Sequence, residues 1–146
     1  MIELARENDV VEIMAIERAA FSPAWTEGAV LRELDSGDAF FAAAKEGGQI
    51  LGFIVLRYMA DEAELFQIAV REDARRRGVG EALLQAAVEN ACGRAIFLEV
   101  RASNRAAAAL YEKNGFTVCG RRRGYYDAPA EDALVMKYER GKDART

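Results

Sequence analysis

The sequence predicts a mixed α/β fold, a single sheet layer with helices on both faces, and three observations carry that expectation. The chain has 146 residues, 51% of them apolar and 30% charged, an ordinary globular mixture at the size of one domain. That length suffices to bury about two-thirds of the unfolded surface in one core. Segments that alternate with period 2 interleave with segments of helical period, in the order β-α-α-β-β-β-α-β-α-β-β. No internal repeat, low-complexity tract or Pro/Ser-rich linker divides the chain, so residues 1–139 read as one unit and 140–146 as a polar, frayed tail.

Ile2–Arg6 reads as a short first strand. Asn8 or Asp9 can cap a helix carrying Val10, Ile13, Met14 and Glu17. Phe21-Ser22-Pro23-Ala24-Trp25 breaks it, and Thr26 offers the next N-cap, before Val30, Leu31 and Leu34. Ala39–Lys45 and Gln49–Met59 are strand-like, and the Gly47-Gly48 pair between them signals a hairpin, because both residues tolerate φ > 0. Ala63–Val70 is a further strand, followed by the charged turn Arg71–Arg77. A helix from Gly80 to Ala91 shows Leu83, Leu84, Ala87 and Val88 on one side. Ala95–Arg101 alternates Ile96, Leu98 and Val100 against Phe97, Glu99 and Arg101. A helix from Ser103 or Asn104 to Lys113 closes on the Asn114-Gly115 C-cap, and Thr117–Tyr125 and Ala133–Tyr138 are the last strands.

Composition excludes several chemistries. There are 20 Lys+Arg, 24 Asp+Glu and no histidine. The net charge of −4 and a pI near 5.0 argue against direct nucleic-acid binding, which favours a basic domain. Without histidine there is no Ser-His-Asp or Cys-His nucleophile system, no histidine-ligated metal and no imidazole base. Cys92 and Cys119 lack CxxC spacing, so no metal is expected, and both read as buried, reduced thiols. No apolar run reaches the roughly 18 residues of a membrane span. The charged start Glu3…Arg6 is unlike a signal peptide. These features predict a cytoplasmic protein without a membrane partner.

The most informative segment runs from Ile68-Ala69-Val70 at a strand end into Arg75-Arg76-Arg77-Gly78-Val79-Gly80-Glu81. Free N–H groups at a helix start, with the positive end of the dipole, make an anion site. Glycines let backbone approach a ligand, and three arginines suit more than one phosphate. The alternative is a glycine-relaxed turn with solvated charges. A nucleoside-triphosphate P-loop is excluded because no Lys-Ser or Lys-Thr follows the second glycine. A dinucleotide fingerprint has Leu83 where its third glycine belongs, although Glu99 lies near where a ribose-binding acid would sit. Too few strand–helix units follow for that fold.

Two more features suggest chemistry. Asn104 and Tyr111 are seven residues apart, about two turns and roughly 10 Å along one helix face. Ala107 and Ala108 between them leave a trough where a thin ligand arm could lie. Close helix–sheet packing with Asn104 as a cap is the alternative. Glu99, on a strand expected to be mostly buried, needs a partner or a purpose: taking a proton from an attacking amine, or pairing with Arg101 or another arginine. Asp61, Glu62 and Glu64 either attract a cationic N-terminus or form a solvated strand end. Arg121-Arg122-Arg123 reads as an exposed edge. Tyr125-Tyr126 is either core or faces an acceptor groove.

Arg75-x-x-Gly78-x-Gly80 resembles the acyl-CoA signature of the GNAT N-acetyltransferases. Leu65–Val70, Leu98–Asn104, Ala109–Glu112, Asn114-Gly115-Phe116, Arg123–Tyr126 with Glu131–Ala133, and Phe21…Trp25 are similar to the RimI-type ribosomal-protein-alanine N-acetyltransferases. The resemblance implies a mostly antiparallel sheet of six to seven strands, acetyl-CoA as donor and the N-terminal alanine of a small-subunit ribosomal protein as acceptor. It implies Glu99 as general base and Tyr111 as general acid, a phenol near 10 protonating a thiolate near 8.5. Ile68–Val70 would hold the oxyanion, and Phe21–Thr26 with Tyr125–Glu131 would frame the acceptor. A same-fold enzyme acting on lysine or a small amine, or a non-catalytic acyl-CoA sensor, are the other readings.

Overall fold

The computed structural model describes residues 1–127 and 129–139; the expected frayed tail, 140–146, lies outside the described residues. Seven strands, β1 (Ile2–Leu4), β2 (Ala39–Glu46), β3 (Gln49–Met59), β4 (Glu62–Val70), β5 (Ala95–Arg101), β6 (Thr117–Asp127) and β7 (Ala130–Tyr138), form one sheet. Its order is β1-β2-β3-β4-β5-β7-β6. The β4–β5 pair is parallel and the others are antiparallel. Helices α1 (Val10–Ala20), α2 (Glu27–Asp35), α3 (Val79–Asn90) and α4 (Arg105–Lys113) cover it, with short 3-10 turns at Glu7–Asp9 and Glu72–Ala74. Every predicted element is present, in the predicted order.

Each helix end has a local cause. The Thr26 hydroxyl oxygen accepts from Ala29 N at 3.1 Å, and Asn104 Oδ1 accepts from Ala107 N at 3.1 Å, so both are N-caps. Asp9 precedes α1 but does not cap it through its side chain; its Oδ2 instead accepts from Arg6 N at 2.8 Å. Val10, Ile13, Met14 and Ile16 of α1 pack with Val30 of α2 against Phe41, Phe53 and Val55. On the opposite face Leu83, Leu84 and Ala87 of α3 and Tyr111 of α4 join Ile54, Leu56, Ile96, Leu98 and Phe116. Phe53 and Phe116 are fully buried, each stabilising the fold by about 1.5–3 kcal/mol. The sheet thus separates two cores, one beneath α1–α2 and one beneath α3–α4.

The cysteines are a correction: Cys92 and Cys119 are both free and exposed, not buried. Cys92 lies just past α3 with φ 54°, a position held at the surface by the turn. Cys119 belongs to the sheet-edge strand β6, whose residues are exposed along nearly the whole strand. Among the described residues no helix is long and apolar enough to cross a membrane.

Candidate active site

The sheet is opened at its centre. Strands β4 and β5 pair only through Glu62–Ala95, Ala63–Ile96 and Glu64–Phe97, although β4 continues to Val70 and β5 to Arg101. Beyond Glu64 and Phe97 the two strands have no ladder between them, and a gap forms in the sheet. A bulge in β4 accompanies it: Val55 faces Gln67 while Leu56 faces Leu65, leaving Phe66 without an opposite residue. Such an insertion re-aims the side chains beyond it. Leu65 packs into the α3–α4 core, whereas Ala69, four residues on, packs into the α1–α2 core.

The bulge decides where the β4 amides point. Arg71 N donates to Leu51 O at 2.8 Å, and the register pairs Phe53 with Ala69. Antiparallel ladders alternate every residue, so Ala69 bonds toward β3 while the amides of Ile68 and Val70 face the gap. Of the three expected backbone groups, two point there and one does not.

One end of the gap meets the arginine-glycine turn. Gly78 is the N-cap of α3 in the left-handed region (φ 80°), with no side-chain cap. The amides of Val79, Gly80 and Glu81 therefore form an uncapped helix start, an anion site. Arg75, Arg76 and Arg77 are exposed there. Arg77 is engaged by Glu46 at 2.7 Å; among the described residues no ion pair holds Arg75 or Arg76. The Glu81 side chain lies 3.4 Å from Lys113, leaving its amide as its contribution. Asn104 stands at the start of α4, its Oδ1 spent on the cap; its NH2 is the group left to donate.

Glu99 and Tyr111 lie on opposite faces of the sheet. Leu98 and Val100 share the α3–α4 core with Tyr111, and Glu99, between them on β5, points to the other face. Glu99 Oε2 pairs with Arg122 Nε at 2.7 Å, rather than with Arg101. Arg101 instead bonds Pro129 O at 2.9 Å and lies 3.3 Å from Glu131, and Glu131 also accepts from Ser103 N at 2.6 Å. That link fixes the β5–α4 turn to β7. Tyr111 is buried, 6% exposed, its ring 5.7 Å from Phe116. Burial first, then the Tyr126 phenol, pushes its pKa up to about 12. Such a phenol stays protonated at neutral pH and is a weaker acid than its ordinary value near 10 implied.

The surroundings of Glu99 are the part that sequence reasoning left open. Tyr125 is 45% exposed, so it is not core. Its pKa is raised by burial first and then by the Glu99 carboxylate. Tyr126 is raised by burial, by Tyr125 and by Glu99, and the Arg101 guanidinium lies 4.3 Å from its ring centroid. Tyr126 thus interacts electrostatically with both Glu99 and Tyr111. Glu64 of β4 is raised by burial first, then by Glu99, with Arg122 opposing.

The loop Phe21–Thr26 is tied to this region by a residue that the sequence shows only as part of a helical stripe. Glu17 is fully buried, and its Oε2 accepts from Trp25 N at 2.8 Å and from Gln67 Nε2 at 2.9 Å. The carboxylate joins the loop to β4 one residue before Ile68. The lone polar residue in the α1 stripe was the available signal, because a buried carboxylate requires donors.

The acetyltransferase (GNAT) family model matches residues 10–116, and the chain belongs to that family of acetyl-CoA-dependent acyltransferases. A ribosomal protein bS18-alanine N-acetyltransferase of Salmonella typhimurium is 34% identical over 141 residues, 92% of this chain and 94% of that protein. The N-alpha-acetyltransferase RimI of Mycobacterium tuberculosis is 35% identical over 121 residues, 80% of this chain and 77% of that protein. The crystal structure of the ribosomal-protein-S18-alanine N-acetyltransferase from Escherichia coli matches with a TM-score of 0.86 and 34% identity, covering 95% of this chain and 92% of that one. Arabidopsis thaliana NAA60 in complex with acetyl-CoA shares the fold, with a TM-score of 0.86 at 21% identity over 95% of this chain and 98% of that one.

Proposed function

We propose that this chain moves the acetyl group of acetyl-CoA onto the α-amine of a protein N-terminus, with the N-terminal alanine of a small-subunit ribosomal protein as acceptor, in the cytoplasm. One observation carries the reading: the gap between β4 and β5 has amides of β4 on one wall, Glu99 and Tyr111 on opposite faces and an uncapped helix start at its end. The names of the relatives support the choice of acceptor. On this reading the first-turn amides of α3 with Arg75, Arg76 and Arg77 hold phosphate, and the Asn104 NH2 holds the pantetheine arm. The Ile68 and Val70 amides donate to the thioester oxygen as it gains charge.

The acceptor nitrogen attacks the thioester carbon, so a C–N bond forms and the C–S bond breaks, with no covalent enzyme intermediate. Glu99 takes the amine proton, directly or through one water. Tyr111 donates to the leaving sulfur. With a phenol at about 12 and a thiol near 8.5, full transfer to a free thiolate runs uphill by about 5 kcal/mol. Its contribution is therefore a hydrogen bond that grows as the C–S bond breaks. A peptide α-amine, near 8, is far easier to deprotonate than a lysine amine near 10.4, which favours N-termini over lysines.

The test is acetyl transfer to peptides presenting Ala, Ser or Met at the N-terminus, or an internal Lys behind a blocked N-terminus. The expected outcome is labelling of the α-amine with alanine preferred. Labelling confined to lysine would replace this reading with the lysine one, and acetyl-CoA binding without transfer would replace it with the sensor.

A further inference from the structure

Glu99 already holds a cation. Arg122 of β6 reaches it through Nε at 2.7 Å, and the Arg122 guanidinium lies 5.3 Å from the Tyr125 ring centroid. The Tyr125 phenol interacts electrostatically with the same carboxylate. Glu64, on the neighbouring strand, interacts electrostatically with both Glu99 and Arg122. A carboxylate and an aromatic face therefore meet one positive group that the chain supplies itself, with a second carboxylate in electrostatic range.

The two partners differ in accessibility. The Arg122 side chain is 60% exposed and that of Glu99 only 14%, so the guanidinium can leave into water while the carboxylate stays. β6 also loses its register with β7 between Arg122 and Tyr126, where Gly124 has a φ of 60°. Arg122 is thus the last residue of the regular ladder, paired with Ala133 before the register changes. An α-ammonium needs what surrounds this guanidinium: carboxylate acceptors, an aromatic face and an open approach.

We propose that Arg122 occupies the place of the acceptor's α-ammonium, and that acceptor binding displaces its guanidinium from Glu99. This rests on the reading of Glu99 as the residue that meets the acceptor amine. Arg122 then keeps Glu99 oriented while the site is empty, and competes with every incoming amine. It is a specificity-determining residue: an acceptor must out-compete it, and an N-terminus without a positive charge does not.

The experiment compares wild type, Arg122→Ala and Arg122→Lys with an Ala-terminated peptide at saturating acetyl-CoA. An exposed ion pair contributes up to about 1 kcal/mol, so its removal is expected to lower the peptide KM about two- to five-fold. The KM for acetyl-CoA stays unchanged, and Arg122→Lys keeps the wild-type peptide KM. A peptide KM that is unchanged or raised in Arg122→Ala, or a fall in kcat alone, overturns the proposal and makes Arg122 only an orienting group for Glu99. A second readout needs no turnover: the Arg122 Nε–H nuclear magnetic resonance signal, assigned by its loss in Arg122→Lys. The free peptide is expected to shift this signal and the N-acetylated peptide to leave it in place. A signal indifferent to the free peptide overturns the displacement even if wild type acetylates N-termini. A signal that moves in an enzyme labelling no α-amine upholds the displacement and retires only the acetylation reading.

Discussion

Tyr111 holds its proton more firmly in the fold than in the unfolded chain, because its phenolate would form in a nearly dry site. Its pKa rises from 10.0 to about 12, so the folded state binds the extra proton between those values. The associated stabilisation, about 3 kcal/mol, is complete below pH 10 and is lost as pH rises through 12. Urea unfolding of wild type and Tyr111→Phe at pH 9 and pH 12 should show the wild type losing more; parallel losses would contradict the shift. The same substitution tests catalysis. Glu99→Gln should lower kcat by about 10²- to 10⁴-fold, and Tyr111→Phe by about 10²-fold through loss of one donor. Acetyl-CoA affinity, read by calorimetry, should stay within about threefold of wild type, and unchanged turnover would remove the assigned roles. At this scale the sequence offered Glu99 and Tyr111 as candidates, but not their environments. Arg122 lies 23 positions from Glu99, and no local pattern distinguishes it from Arg121, which pairs with Asp132 instead.

At the scale of elements, the gap depends on β3 and β4 staying close where β5 departs. Gly52 of β3 makes that approach possible: a Cβ there would lie 2.6 Å from Ala69 O and 3.2 Å from Val70 Cα. Backbone cannot yield as a side-chain tip can, so Gly52→Ala must part the strands. The expected cost is about 1–3 kcal/mol, seen as a Tm lower by several degrees. Acetyl-CoA binding should weaken with it, because the Ile68 and Val70 amides move. Gly78→Ala is the contrast: nothing lies within 4 Å of its Cβ, and only the φ of +80° is unfavourable, at about 1–2 kcal/mol. Equal Tm values for wild type and Gly52→Ala would show that the strands can part freely. Helices and strands were legible because their periodicities are local. The bulge at Phe66 was not, because five of the six residues in Leu65–Val70 are apolar, so no alternation is broken, and only the pairing with Val55 and Leu56 exposes the extra residue.

Across the whole molecule, the gap couples the two cores to whatever fills it. A ligand bound only by the folded state stabilises it by about 2.7 kcal/mol at a hundredfold excess over Kd. Acetyl-CoA should therefore raise Tm by several degrees, while NAD at the same concentration should not. The reverse would sink the assignment of the arginine-glycine turn. Charge is distributed to match: a chain of net charge −4 gathers three arginines at one helix start. By itself, the sequence determined the class of fold, the order of its elements, the helix cap at Thr26, the turn at Gly78 and the exclusion of imidazole chemistry. Each of these is a matter of composition or of residues within a few positions of one another. Tertiary structure alone decided that β4 and β5 part after Glu64 and Phe97, that Ile68 and Val70 rather than Ala69 face the opening, that both cysteines lie at the surface, and that Glu99 is held by Arg122. These outcomes depend on which distant segments become neighbours, and that depends on how the two cores pack against opposite faces of the sheet.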